Sequence, residues 1–309
     1  MPRTPGKTKT LAATPRLETS AVLFDAYSVL FRAFHALPRL TTSTGVPSSA
    51  LYGFSSLVLK VLREYRPRAL SFAVDAPTRT FRAERYPEYK AGRARTPSEL
   101  AQELERFPKL LEAFGAPVFC VPGFEADDIL ATLAKTLSDR GENVLVVSGD
   151  RDLLQTAAPH SRVLFLGRRG QEPELYDAAK VEARFGVPPA KLPSFAALVG
   201  DNSDNLQGVP GVGPRTAAEL VSEFGSMPAL VANLERVASA KVRELLRPAA
   251  ERLLLNEDLA RLRDDVPLPE GPAAAPLTRQ GALRLRALFE ELEFKSLVAR
   301  LERLELSDG

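Results

Sequence analysis

Nine acidic residues stand where chemistry could gather: Asp25, Asp75, Glu125, Asp127, Asp128, Asp150, Asp152, Asp201 and Asp204. The chain has one cysteine, Cys120, and two histidines, His35 and His160, far apart in sequence. That excludes a disulfide framework and a cysteine-based zinc site. Any metal here must be held by carboxylates, which points to hard cations, Mg²⁺ with Mn²⁺ as a substitute. So many carboxylates cannot converge without cations, because like charges a few ångströms apart raise each other's pKa. Two divalent ions about 4 Å apart would neutralise them, activate a water and stabilise both oxygens of an in-line phosphoryl displacement. Taken singly, each acid has a plainer reading. Asp127 and Asp128 would favour a helix N-terminus, and Asp150 and Asp152 could be turn residues.

The surrounding sequence says how these acids are placed. Three short apolar runs each lead to an aspartate: Ala21–Phe24 to Asp25, Leu70–Val74 to Asp75, and Val144–Val147 to Asp150 through Ser148-Gly149. Helical stretches separate them, so they read as buried parallel strands with crossover helices. In such sheets the site lies beyond the carboxyl ends of the strands, where all three aspartates would meet. Pro122-Gly123 breaks the chain before Glu125, and the next helix carries Ile129, Leu130, Leu133 and Leu137 inward, ending near Arg140-Gly141. Inside one helix Glu125 and Asp127 would point about 200° apart. Glu125 is therefore expected on the pre-helical turn. Cys120, after an apolar stretch, reads as a small core residue.

A basic stretch lies between the second and third of these runs: Arg79, Arg82, Arg85, Lys90, Arg93 and Arg95, interleaved with Tyr86 and Tyr89. Thr96-Pro97-Ser98-Glu99 then reads as a capping box that starts a helix through about Ala113. After Asp204 the segment Gly208–Gly213 forms a tight hairpin between helical segments that run to about Arg263. Residues 266–276, with four prolines, form a stiff connector, and a last helical segment covers about Leu283 to Leu304. Residues 1–17 are rich in Lys, Arg, Thr and Pro and lack acids, so residues 1–19 are expected to be a disordered basic tail. That composition also admits an organellar transit peptide. No apolar run approaches the roughly 20 residues a membrane helix needs. The formal charge of +2 is uninformative by itself.

Together these segments resemble the 5′ nuclease domains of bacterial DNA polymerase I, within the wider flap endonuclease family. The matching stretches are Leu23-Phe24-Asp25, Phe31-Arg32-Ala33-Phe34-His35, Tyr89-Lys90-Ala91-Gly92-Arg93, Gly123-Phe124-Glu125-Ala126-Asp127-Asp128, Ser148-Gly149-Asp150-Arg151-Asp152 and Gly200-Asp201-Asn202-Ser203-Asp204-Asn205, completed by the hairpin. They run in order from about residue 20 to residue 304. The resemblance implies that Asp25, Asp75, Glu125 and Asp127 serve one metal and Asp150, Asp152 and Asp204 a second. It implies that Asp128 and Asp201 act through water, with a plain helix-start acid as the alternative for Asp128. Lys90 and Arg93 would hold the scissile phosphate and offset charge in the transition state. Phe31, in place of the family's tyrosine, would stack on a terminal base. Arg32, Arg79, Arg82, Arg85 and Arg95 would steer the DNA backbone. Gly208, Val209, Gly211, Val212 and Gly213 would form a helix–hairpin–helix motif, with Arg215 and Thr216 opening the helix that follows. A K⁺ ion can sit on backbone carbonyls of that hairpin in this family. Ala26 replaces the glycine usual after the first aspartate in bacterial members.

The expected architecture is α/β: a three-layer core with a mostly parallel, PIN-like sheet over residues 20–205, a helical arch at about 79–113, and a helix–hairpin–helix region with C-terminal helices over 206–309. The expected activity is metal-dependent 5′–3′ exonuclease or 5′ flap endonuclease cleavage of DNA with a 5′ flap, 5′ end or nick, extending to RNA primers in hybrids. The resemblance implies a role in replication-primer removal and repair in the bacterial cytoplasm, at the nucleoid. The resemblance allows a polymerase partner, not itself expected within this sequence, and no membrane contact is expected. Two other readings remain: a DNA-binding module without catalysis, and a ribonuclease of the related acidic-site families.

Overall fold

The computed structural model describes residues 18–92, 95–167, 171–304 and 306. The expected tail at 1–19 falls almost wholly outside these residues, as does Arg93. Strand β1 (Ala21–Asp25) is followed by helices α1 (Ala26–Ala36) and α2 (Ser49–Tyr65), then β2 (Ala69–Ala73). Helices α3 (Phe81–Arg85) and α4 (Ser98–Phe114) lead to β3 (Val118–Phe119) and α5 (Ala126–Ser138). Next come β4 (Val144–Ser148), β5 (Ser161–Phe165) and β6 (Glu174–Tyr176). The rest is helical: α6 (Ala178–Phe185), α7 (Leu192–Val199), α8 (Pro214–Phe224), α9 (Met227–Ala232), α10 (Ala240–Leu246), α11 (Ala250–Ala260), α12 (Arg279–Glu291) and α13 (Lys295–Leu301).

The six strands form one sheet in the order β3-β2-β1-β4-β5-β6, parallel except for β6. The order reverses between β1 and β4, and such a reversal opens a crevice at the carboxyl ends of the two strands. Every residue of β1 and β4 is buried, as expected when helices cover both faces. Alternation within the strands divides the core. Val22, Phe24, Leu70, Phe72, Leu145 and Val147 face α1, α2, α4, α12 and α13. Leu23, Ala73, Val146 and Val163 face the opposite layer, built on α5 and extended by α7 and α8. On the first side Phe54 is fully buried, its ring edge-on to Phe107 with centroids 4.8 Å apart. The connector after α11 returns to the sheet, where Leu70 and Ala275 exchange backbone hydrogen bonds of 2.8 and 3.0 Å. Among the described residues no helix is long and apolar enough to cross a membrane.

Several local expectations are corrected. Helix α4 does not belong to a free-standing arch: Leu100, Phe107, Leu110 and Phe114 are buried in the core. Its Glu103, also buried, reaches the start of α2 and accepts from Leu51 N at 2.8 Å. Pro97, not Thr96, precedes its first turn, and no side chain caps it. Cys120 is exposed, because the short edge strand β3 alternates: Val118 is exposed and Phe119 buried. The last helical segment is two helices, broken at Glu293 with φ of 60°.

Candidate metal and nucleic-acid site

The acids gather where the strand order reverses. Phe24 of β1 pairs with Val147 of β4, so Asp25 and Ser148 emerge side by side. Ser148 Oγ donates to Asp25 Oδ2 at 2.6 Å and accepts from Asp150 N at 2.9 Å. Ser28 Oγ accepts from Gly149 N at 3.0 Å, closing the junction between the two strands. Asp25 also caps α1, accepting from Ser28 N at 3.1 Å. Beyond β4, Asp150 Oδ1 accepts from Asp152 N at 2.9 Å in a tight turn. Asp75 lies two residues past β2 and is exposed, and its Oδ1 accepts from Ala126 N at 2.8 Å at the start of α5.

Glu125 precedes α5 with φ −94° and ψ 160°, the pre-helical turn that its spacing from Asp127 required. Its carboxylate is surrounded. Lys90 Nζ lies 3.0 Å from Oε1, while Tyr89 Oη and Arg82 Nη1 donate to Oε2 at 3.1 and 3.2 Å. Tyr89 Oη reaches Asp204 Oδ2 at 2.7 Å, and Lys90 Nζ stands 3.8 Å from Asp204 Oδ1. Lys90 holds φ of 58°, with its backbone N–H on Asp204 O at 3.2 Å. The segment after α3 is thus fastened to the acid-bearing turn at 201–204. Asp201 in that turn caps Ser203 N at 2.8 Å and pairs with Arg151 at 3.3 Å, tying it to the turn after β4.

The electrostatics are those of an overloaded pocket. Burial first, with the charges of Asp150 and Asp75 adding, pushes the Asp25 carboxyl from 3.8 up to about 7 against its hydrogen bonds from Ser148 and Ser28. Burial and then Asp150 push Asp127 and Asp152 well above the ordinary range. Burial raises Asp204 too, against the opposing pull of Lys90. Two helix N-termini, those of α1 and α5, add partial positive charge. Among the described residues no three of these carboxylates are drawn around one point. An all-oxygen, partly buried donor set with surplus negative charge fits hard divalent cations.

Two residues expected to face the metals or the DNA do neither. Asp128 is fully buried and sits at the third position of α5, its carboxylate accepting from Glu125 N. Arg82, 1% exposed, donates to both its oxygens, at 2.6 and 2.7 Å. Arg263 N adds a further bond to Asp128 at 2.9 Å, leaving this carboxylate engaged by the protein. The helix-start alternative for Asp128 therefore describes its position, and Arg82 cannot steer DNA from inside the core. Arg82 also donates to Leu259 O at 2.7 Å and Arg261 O at 2.8 Å, nailing α3 to the end of α11. The Asp128 charge and hydrogen bonds keep this guanidinium protonated although burial opposes its charge.

The hairpin lies where the sequence put it, but its parts differ in use. Val209 and Val212 are buried, with their N–H groups spent on Leu198 O and Val209 O at 2.9 Å each. They support the hairpin and cannot donate to a phosphate. A Cβ on Gly208 would lie 2.4 Å from Val199 C, and one on Gly200 2.6 Å from Gly208 N, so the two backbones touch. Gly208 O accepts from Arg252, and Gly213 O from Ala217 N. Gly213 precedes Pro214 at the start of α8. The next N–H groups, of Arg215 and Thr216, belong to the first helical turn and have no intrahelical acceptor. The Arg215 side chain is 93% exposed and pairs with Glu219 at 3.0 Å. Exposed Arg79 donates to Ala83 O, and Arg32 is held on the carbonyls of Gly167 and Gln171. Phe31 is half-buried on α1.

The sequence reading assigned no role to Ser148, Ser28, Tyr89 or Arg151. A serine ending an apolar strand is the one signal that could have marked Ser148, since a buried hydroxyl needs a partner.

Two outcomes follow. Arg82→Met leaves Asp128 buried and unpaired, so it should cost about 3–5 kcal/mol in urea unfolding, and adding Asp128→Leu should recover most of that loss. Additive losses would remove the pair as the cause. The second concerns pH. From about pH 4 to about 7 the folded protein keeps a proton on Asp25 that the unfolded chain has lost. Stability therefore falls as pH rises through that window and levels above it. In EDTA the melting temperature should be lower at pH 8 than at pH 5, and Mg²⁺ should raise it selectively at pH 8. A melting temperature that climbs with pH in EDTA would contradict the surplus of charge.

The comparisons with known proteins agree with this geometry. Residues 20–186 match the family described as 5′-3′ exonuclease, N-terminal resolvase-like domain, and residues 187–281 its C-terminal SAM fold. DNA polymerase I of Mycobacterium tuberculosis (strain ATCC 25618 / H37Rv) is 40% identical over 297 residues, 94% of this chain and 33% of the relative. DNA polymerase I of Bacillus caldotenax is 37% identical over 286 residues, 93% of this chain and again 33% of the relative. The chain thus spans about a third of the length of the curated relatives it matches. Among solved structures, a T5 5′-exonuclease with bound zinc superposes with a TM-score of 0.64 at 23% identity, covering 93% of this chain and 100% of that one. The catalytic core of Rad2 in complex with DNA substrate does so at 0.59 and 19%, covering 94% and 93%. The N-terminal match alone takes in more than half of the residues, and the chain belongs to the 5′-3′ exonuclease family of nucleases.

Proposed function

We propose that the chain hydrolyses DNA phosphodiester bonds as a divalent-metal-dependent 5′–3′ exonuclease and 5′ flap endonuclease. One observation carries this: at the reversal point, where Asp25 and Ser148 end paired strands, the carboxyls of Asp25, Asp127, Asp152 and Asp204 are all pushed upward. Two relatives support it by name, a T5 5′-exonuclease carrying divalent metal ions and a Rad2 core carrying DNA substrate. Asp25, Asp75, Glu125 and Asp127 would hold one cation, and Asp150, Asp152 and Asp204 a second. When bound, such a pair supplies the positive charge that stabilises the attacking and leaving oxygens. Mg²⁺ is the ion of choice for an all-oxygen set.

The chain's own residues do the rest. Lys90 is held at the rim by Glu125 and Asp204. From there its ammonium can move onto a phosphate oxygen as negative charge develops. Tyr89, bridging Glu125 and Asp204, fixes the two carboxylates relative to one another. Arg93 would join Lys90, and Phe31 would offer its ring to a terminal base. The first turn of α8 would grip the duplex backbone through the Arg215 and Thr216 N–H groups, which reads no base. Nicks, 5′ flaps and the RNA of hybrids are the substrates such a geometry suits, and a polymerase is the partner that the relatives' name suggests. After residues 1–19, residues 20–205 would form the nuclease core and residues 206–309 the region that grips the duplex.

Cleavage of a labelled 5′-flap substrate should require Mg²⁺ or Mn²⁺ and stop in EDTA. Asp150→Asn with Asp152→Asn should abolish cleavage, while flap affinity in Ca²⁺ stays equal or rises because negative charge has left a polyanion's path. A folded double variant that still cuts would sink the carboxylate mechanism; one that cuts nothing because it fails to bind would move these acids to substrate positioning. Lys90→Ala should slow the chemical step by about 10²-fold. Wild-type single-turnover rates would show that Lys90 never reaches the phosphate.

A further inference from the structure

A second feature lies at the other end of the sheet. Between the end of α2, the start of β2 and the residues after α13 there is a cavity of about 340 Å³. It adjoins another of about 230 Å³ between α2 and α13, and the two share Arg63, Arg303 and Leu304. Six cations line the joint groove: Lys60, Arg63, Arg66, Arg68, Arg300 and Arg303. Among the described residues no acid lines either part. In a chain with 41 basic and 39 acidic residues, that is a segregated patch. Two acids pair at its edge, Glu64 with Arg63 at 3.7 Å and Glu18 with Arg68 at 3.3 Å. Both pairs are exposed and worth little. Arg300 is braced by a 2.8 Å bond to Ser56 Oγ.

The floor is as telling as the rim. Leu62, Leu70, Leu277 and Leu304 line it, and among the described residues neither part has an aromatic side chain. A single nucleic-acid strand would need aromatic faces for its bases, and a duplex backbone offers nothing for a leucine floor. The groove is also remote from the carboxylates: it opens at Leu70 near the start of β2, whereas Asp75 follows that strand's end, roughly 15 Å along the sheet. A concave apolar floor with a one-signed rim suits an apolar side chain flanked by carboxylates.

We propose that this groove docks an acidic peptide segment of a partner protein, with a leucine-like side chain on the floor and Asp or Glu side chains on the arginine rim. The probe is a short fluorescein-labelled peptide of repeated Glu-Glu-Leu, titrated with the full chain at low salt. Binding should weaken by at least about tenfold in Arg63→Glu with Arg303→Glu, and flap cleavage and melting temperature should not change. Arg63→Gln with Arg303→Gln, a neutral replacement at exposed positions, serves if the reversed pair folds poorly, and should weaken binding in the same direction. Absence of peptide binding overturns the proposal. So does polyglutamate of equal length binding as tightly, since the floor would then contribute nothing. A labelled oligonucleotide or duplex losing as much affinity as the peptide in the same variant would make the groove a nucleic-acid surface and overturn it too.

Discussion

Most of the architecture around the site can be understood from one difficulty: several carboxylates are held in a partly buried place where each makes the others harder to ionise. The parallel sheet creates that place, because two buried strands end side by side at the reversal point and their last residues have nowhere else to project. Everything nearby opposes the repulsion. Helix α1 starts on Asp25 and α5 on Glu125, so two helix N-termini face the charges. Ser148 and Ser28 donate into the same junction, and Lys90 and Tyr89 reach across from the segment after α3. The balance stays incomplete, as the raised carboxyls of Asp25, Asp127 and Asp152 show. A site left short of positive charge is one that attracts cations.

The acids then divide into two kinds. Asp128 is neutralised by the protein itself, locked to Arg82 inside the core. Asp201 is partly so, through Arg151. Glu125 and Asp204 share Lys90, while the carboxyls of Asp25, Asp127 and Asp152 stay raised. This division gives Arg82 a meaning that its place in a basic run conceals. It joins α3, α5 and the end of α11 in one knot. The same guanidinium touches Glu125, so the structural pair and the acidic pocket share an edge. Movement of α3 is thereby coupled to the position of an acid at the site.

How far the sequence carried depended on whether a feature was local. The three strands leading to aspartates, the pre-helical placement of Glu125 and the hairpin between α7 and α8 each follow from short-range rules of periodicity, spacing and turn chemistry. Arg82 did not follow. Nothing in a run of six basic residues says which one turns inward, because its partners at Asp128 and Leu259 are distant in sequence. Val209 and Val212 failed similarly: a glycine-rich turn marks a backbone shape, but burial by α7 and α8 is decided elsewhere. Cys120 was misjudged because a two-residue edge strand alternates where a buried strand would not. Helix α4 carried a legible apolar face in Leu100, Phe107, Leu110 and Phe114, and only its neighbourhood to the basic run drew it into the expected arch.

The contact between Gly200 and Gly208 has a consequence for measurement along a strand. Their backbones lie too close to admit even a methyl group, and Asp201 and Leu206 bridge the loop between them at 2.8 Å in both directions. The turn bearing Asp204 and the beginning of the hairpin before α8 are therefore packed backbone against backbone. If the start of α8 grips a strand as proposed, that strand would meet Asp204 at an offset set by this contact. On the proposed reading, the two glycines would act as a ruler, setting the spacing between the grip and the acid.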